Sequence, residues 1–259
     1  MNVLEISNFS FSYFLEQPLL TDISMSLEEG EIYCLLGPNG SGKTTLISQI
    51  LFPSESNKQN IKLSGKRICD ISLVEQAKLV GYVPQKIVPL HISVIQTVIM
   101  GRYPYQKNIF LKPKDEDYQT AYKAIEQMGL TNLADRQLST LSGGEVQRVF
   151  IAQSLAKNAK LYFFDEPMSA LDPQYQSDFL SLINWLASQG KSVFFTTHNP
   201  NHLFSLKNAR AGILDKSHQF TQLNKVAHEG TEKIQEVFGD SLSIEYSRKQ
   251  GRFVSSFRF

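Results

Sequence analysis

Apolar and polar positions alternate along residues 2–13, where Val3, Leu4, Ile6, Phe9, Phe11 and Tyr13 carry the short period of a half-buried strand. Residues 19–27 repeat the pattern, and Glu28-Glu29-Gly30 reads as the turn that ends it. Ile32-Tyr33-Cys34-Leu35-Leu36 is apolar without a break, which predicts a short buried strand, and Leu46-Ile47-Ser48-Gln49-Ile50-Leu51 opens a helix. Residues 61–70 hold a Ser64-Gly65 turn and another short strand. Together these stretches predict an antiparallel sheet beside a parallel core.

The period then changes. Residues 71–79 look helical, and Val80-Gly81-Tyr82-Val83 gives a strand that ends at Pro84-Gln85. From 94 to 157 helical spacing dominates. Tyr118, Ala121, Tyr122, Ile125 and Met128 fall three and four apart, on one face of a helix over 115–128 that Gly129 stops. This predicts a helical subdomain, about residues 88–157, inserted in a domain that runs to residue 225. Leu161-Tyr162-Phe163-Phe164 and Val193-Phe194-Phe195-Thr196-Thr197 have the texture of parallel strands covered on both faces. A helix over 177–186 completes the βαβ crossover between them. After Ala211-Gly212-Ile213-Leu214 the chain grows more polar. Residues 226–259 form an extension ending in a hairpin, 242–246 and 253–259, about Lys249-Gln250-Gly251.

With 259 residues, 42% hydrophobic and 20% charged, the chain suits one large domain or one with an inserted subdomain. The net charge of +1 gives no broad basic face for nucleic acid. Cys34 and Cys69 lack metal-ligand or redox spacing, which fits a reducing compartment. Residues 1–10 do not read as a signal peptide, and no apolar run approaches a membrane span. A role at a membrane therefore requires another chain to cross it.

Between the 32–36 strand and its helix stands GPNGSGKTT: Gly37, Pro38, Asn39, Gly40, Ser41, Gly42, Lys43, Thr44 and Thr45. Strand, glycine-rich turn, helix is the context a phosphate loop needs. Gly40 and Gly42 let consecutive N–H groups curl around a phosphate, and the helix N-terminus adds donors. Lys43 reaches the β- and γ-phosphates and the Thr44 hydroxyl takes a Mg²⁺ position. LYFFDEP places two acids at a strand end: Asp165 to hold Mg²⁺ through water, Glu166 to deprotonate the water attacking the γ-phosphate. Alone, an acidic pair at a strand exit is equally an ordinary one. In LSGGE, Ser142 with Gly143 and Gly144 at a helix start is a second anion cradle, or a plain serine cap. One nucleotide does not need two cradles from one chain. A cradle serving another molecule's γ-phosphate makes the protein a dimer with two shared nucleotides.

Residues 3–214 resemble the ATP-binding cassette ATPases, with GPNGSGKTT, GYVPQ, LSGGE, LYFFDEP, SALD and TTHNP in the family's order. The resemblance implies an α/β P-loop NTPase with a RecA-like core, an antiparallel β subdomain and an inserted α-helical subdomain. It further implies that Tyr13 stacks on adenine, Gln85 touches Mg²⁺ and the attacking water, His198 contacts the γ-phosphate, and Asp172 couples the two sites across the dimer. The expected ligands are ATP and Mg²⁺. The expected assembly is a homodimer on permease subunits at the cytoplasmic face of the cell membrane, served by an extracytoplasmic substrate-binding protein. The stretch Val98-Ile99-Met100-Gly101-Arg102-Tyr103-Pro104 and the phrase ALDPQYQ are similar to the branch importing ferric siderophores, haem, vitamin B12, and molybdate or tungstate. The alternatives are an ATPase of another importer class, such as zinc or manganese, or a non-transport ATPase of the same family. The chain departs from the usual pattern at Gln153, at Asn199, near 56–58 and at Asp215-Lys216-Ser217, where customary arginine, acid and glycines are absent.

Overall fold

In this computed structural model, which describes residues 1–14, 17–88, 90–106, 112–206, 208–223, 228–239 and 242–257, the alternating N-terminal stretches form one antiparallel ribbon. Strands β1 (Asn2–Phe14) and β2 (Gln17–Glu28) pair along their length. Their alternation buries Leu4, Ile6, Phe9, Leu20 and Ile23 and leaves Ser10 and Asp22 in solvent. The chain leaves this ribbon through β3 (Ile32–Leu36) and helix α1 (Lys43–Leu51). It returns as β4 (Ile61–Leu63) and β5 (Lys66–Arg67), completing the order β2-β1-β4-β5.

Helix α2 (Leu73–Leu79) leads into β6 (Val80–Val83) of a second sheet. Three helices follow, α3 (Val94–Ile99), α4 (Asp115–Gln127) and α5 (Gly143–Ala156), packed on one another. Then come β7 (Leu161–Phe164), α6 (Pro173–Ser188), β8 (Ser192–Thr197), α7 (Pro200–Phe204), β9 (Ala209–Leu214) and β10 (Phe220–Leu223). The sheet order is β10-β9-β3-β8-β7-β6, parallel except for β10. The two faces of β3 explain its unbroken apolar run. Ile32, Cys34 and Leu36 face the core shared with α3–α6, while Tyr33 and Leu35 face the core shared with the ribbon and α1. Aromatic rings knit the strands together, Tyr33 stacking on Phe194 at 5.3 Å and nearly parallel.

α8 (His228–Phe238) and the hairpin β11 (Leu242–Ser247) and β12 (Arg252–Phe257) close the described chain. β12 rests on α7: Asn201 donates to the Ser255 carbonyl (2.9 Å) and accepts from the Ser255 N–H (2.8 Å), and Phe204 packs on Phe253. Two differences from the sequence reading stand out. Elements α7, β9, β10 and α8 were not predicted. The packed face of α4 is rotated: Asp117, Ala121, Ala124 and Ile125 are buried, whereas Tyr118 and Tyr122 are exposed. The small alanines bring α4 close to its neighbours, and the tyrosine rings keep their hydroxyl ends toward water. The hairpin lies where the alternation placed it; residues 258–259 of that prediction fall outside the described residues.

Candidate active site

At the end of β3 the backbone must pass against β9. A Cβ on Gly37 would overlap the Leu214 carbonyl oxygen and lie 2.8 Å from Ser41 Oγ, so only glycine fits. Gly42, at φ 103°, precedes α1, and no side chain caps that helix. Its N-terminal amide donors are thus left to a ligand. Lys43, buried at the first helical position, donates to the carbonyls of Gly37 (2.8 Å) and Pro38 (3.0 Å) and pairs with Glu166 Oε1 (3.0 Å). The other Glu166 oxygen meets His198 Nδ1 at 2.8 Å. Phosphate-loop lysine, strand-end glutamate and histidine are therefore in direct contact.

Glu166 has φ 46°, a left-handed conformation that side-chain-bearing residues rarely adopt. Thr196 on neighbouring β8 holds it there: its hydroxyl accepts the Glu166 N–H (2.8 Å) and donates to Asp165 Oδ1 (2.6 Å). Burial raises the Glu166 pKa, but the His198 hydrogen bond and the Lys43 charge outweigh it, and the carboxyl stays below its usual value. Asp165 goes the other way. Burial dominates over the Thr196 and Thr44 hydroxyls and holds its pKa above the usual value.

A cavity of about 660 Å³ opens beside these groups, lined among others by Asn39, Gly40, Lys43, Thr44, Gln85 and Glu166. Gly42 and Thr45 also border it, and Tyr13 touches Thr45, its hydroxyl 3.2 Å from Thr45 Oγ1 with the ring largely exposed. Asp165 Oδ2 is buried without a hydrogen-bond partner. One unsatisfied carboxylate oxygen near the Thr44 hydroxyl is the donor set Mg²⁺ takes when a nucleotide supplies the remaining oxygens, so the residues fit that ion. Among the described residues no cluster of three or more His, Cys, Asp or Glu forms a separate metal site.

Ser142, Gly143 and Gly144 do not line this cavity. Ser142 caps α5 in a capping box: its N–H and hydroxyl each lie 2.8 Å from Glu145 Oε2, and its Oγ accepts the Glu145 N–H. Asp172 likewise caps α6, accepting from the Tyr175 N–H (3.0 Å). Within one chain, then, the structure joins Lys43, Asp165, Glu166, Gln85, Thr44 and His198 and leaves Ser142 and Asp172 apart. Pro38 and Ser41 shape the loop itself, Ser41 N–H closing a turn onto the Pro38 carbonyl.

Sequence reasoning passed over three residues. Thr196 reads as an ordinary strand residue. His202, which bonds Thr197, looks like a helix residue. His218 sits at φ 62° in the β9–β10 turn, with Nδ1 2.9 Å from the Ser41 carbonyl. That turn closes without the customary glycine because Asp215 accepts the N–H groups of Ser217 (2.8 Å) and Gln219 (2.9 Å). The Gly101–Pro104 segment proves to be a latch. Gly101 lies against the Gln153 carbonyl of α5, while Arg102 pairs with Asp117 (3.1 Å), donates to the Ala156 carbonyl (2.9 Å) and covers the Tyr105 ring.

Comparison with known proteins agrees with this geometry. The ABC transporter family model matches residues 20–169. MolC of Haemophilus influenzae, a molybdate import ATP-binding protein, is 36% identical over 86% of this chain and 83% of its own length. MntB of Bacillus subtilis, a manganese transport system ATP-binding protein, is 36% identical over 76% and 77%. The chain spans 47% of YvrA, an ABC transporter ATP-binding protein of the same bacterium, also at 36% identity. A metal-chelate type ABC transporter solved in an inward-facing conformation superposes with a TM-score of 0.80, at 32% identity over 99% of this chain and 96% of that one. Phosphate loop, strand-end acids and cassette fold therefore have one explanation: this chain belongs to the ABC transporter family, as an ATP-binding ATPase subunit.

Proposed function

We propose that the chain powers import of a metal chelate or a related solute such as molybdate, working as a head-to-tail homodimer on permease subunits. The observation that carries this reading is the separation of the two cradles: Lys43 and Glu166 line one cavity, with His198 bonded to Glu166, and Ser142 stands outside it. A second copy supplying Ser142 completes each pocket. No helix among the described residues is long and apolar enough to cross a membrane. The exposed Val88 and Leu90 after Gln85, with Tyr103, Tyr118 and Tyr122, offer a surface for a permease's cytoplasmic helices. The solute itself would be selected by the permease and an extracytoplasmic binding protein.

These contacts support one order of events. Lys43 spends its ammonium donors on two carbonyls and Glu166. Phosphates of the substrate ATP compete for Lys43 and release Glu166 from the ion pair. Glu166, still oriented by His198 and Thr196, then accepts a proton from the attacking water. Tyr13 stacks on the adenine and the phosphate-loop amides hold the β- and γ-phosphates. Asp165, Thr44 and Gln85 are the residues that would hold Mg²⁺, which would supply neutralisation of phosphate charge. Loss of the γ-phosphate removes the bridge to Ser142 and lets the dimer open.

Replacing Glu166 with Gln keeps ATP binding and removes turnover; unchanged steady-state hydrolysis in that variant would refute the assignment. The second reading is a manganese importer, favoured by the equal identity to MntB. ATPase stimulation in a complex reconstituted with its permease, by molybdate or a ferric chelate against manganese ions, separates the two.

A further inference from the structure

The active-site loops are joined by a hydrogen-bonded path that the hydrolysis scheme does not use. α5 packs against one end of it, where Gly144 leaves so little room that an added Cβ would stand 3.2 Å from the Ala170 carbonyl oxygen. Two carbonyls of that same segment, Met168 and Leu171, accept from Gln176 Nε2 on α6 (3.3 and 3.0 Å). This fixes the amide orientation and turns Gln176 Oε1 toward His202 Nε2 at 3.4 Å. An acceptor on that side puts the imidazole proton on Nε2, so Nδ1 accepts the Thr197 hydroxyl at 2.8 Å. Thr197 Oγ1 in turn accepts the Asn199 N–H at 3.1 Å. Thr197 and Asn199 flank His198, whose imidazole meets Glu166. Both ends of the path thus reach the same carboxylate, since Met168 lies two residues after it. Burial keeps His202 neutral, its pKa pushed down to about 4, so the bond polarity along the path is fixed at physiological pH.

We propose that Gln176 and His202 form a strut linking the 168–172 segment to residues 197–199, with His202 a positioning residue for His198 and Glu166. The strut transmits to the hydrolytic site whether the Ser142 segment has engaged a nucleotide on a second copy. That part rests on the shared-pocket reading above.

The test is a double-mutant cycle on the full-length chain with His202→Gln, Gln176→Leu and the pair. Each single change lowers kcat by about tenfold, the scale of a misplaced catalytic group, with KM for ATP within about twofold of wild type. The pair is no worse than the worse single, because either change alone breaks the strut. Ile183→Val, in the buried face of α6, lowers the melting temperature by about 2–4 °C and leaves kcat unchanged. A double variant whose loss is the product of the singles, KM rising in step with the kcat loss, or single-variant kcat within twofold of wild type overturns the proposal. Dimerisation of the wild type with ATP is scored on the same preparations. A monomeric wild type with a coupled cycle leaves the strut standing and removes the shared-pocket reading.

Discussion

Protonation of His202 gives a pH signature in stability that follows from its burial. In the folded chain its pKa lies at about 4, against an ordinary 6.5, because burial disfavours the charged ring and His198 adds repulsion, with Glu166 pulling weakly the other way. Arg252 lies along the same polar cleft and adds no proton-accepting group there. The sign follows from proton counting. Between these two pKa values the unfolded chain holds a proton on this ring and the folded chain does not, so stability rises with pH through that window. The contribution is complete above pH 6.5 and is lost as pH falls toward 4. At about 1.4 kcal/mol for each pH unit, the loss reaches about 2 kcal/mol by pH 5 and about 3 kcal/mol near pH 4. His202→Gln removes the titration but also the Thr197 bond, so the variant starts less stable. Urea denaturation of both proteins at pH 7.5, 6 and 5 isolates the effect as a difference of differences. The stability gap between them narrows by about 2 kcal/mol from pH 7.5 to pH 5. Parallel pH profiles would show that the ring titrates normally, and the reasoning from burial would fail.

Other consequences are open to the same kind of measurement. Asp165→Asn neutralises a buried carboxylate with an unpartnered oxygen, so the nucleotide-free variant melts higher, by about 1 kcal/mol of stability, while Mg²⁺-dependent hydrolysis disappears. A lower melting temperature would show that Oδ2 has a partner that matters. Gly101→Ala drives a Cβ into the Gln153 carbonyl and costs about 1–3 kcal/mol by thermal unfolding, whereas Gly143→Ala, with nothing within 4 Å, is neutral. Equal melting temperatures for the two would remove the latch.

Much of this was legible in the chain. The unbroken apolar run of β3 and the aromatic runs of β7 and β8 announced strands buried on both faces, and the glycine-rich turn between β3 and α1 announced its ligand. Strand order was not legible, because β3 lies between β8 and β9 through pairings more than 150 residues apart. The α4 face was misread because tyrosine counts as apolar in a periodicity yet keeps its hydroxyl wet. Helix α8 hides its buried Ile234 among glutamates and lysine. Thr196 gave no signal at all: a hydroxyl in a strand looks the same whether it braces a catalytic turn or merely fills a β position. Inside the chain Ser142 and Asp172 are ordinary helix caps, and any role across a dimer depends on a second copy.

The central claim is that each ATP pocket is built from two chains, and mixing two inactive variants tests it directly. In Lys43→Ala the phosphate loop is dead and Ser142 intact; in Ser142→Arg the reverse holds. A mixed dimer carries one pocket with both lesions and one with neither. ATPase activity, absent from each variant alone, therefore returns on mixing equal amounts, to at most about a quarter of wild type, since half the dimers are mixed and one of their two pockets is intact. Wild-type hydrolysis by Ser142→Arg on its own would mean that a single chain holds the whole pocket, and would contradict the account.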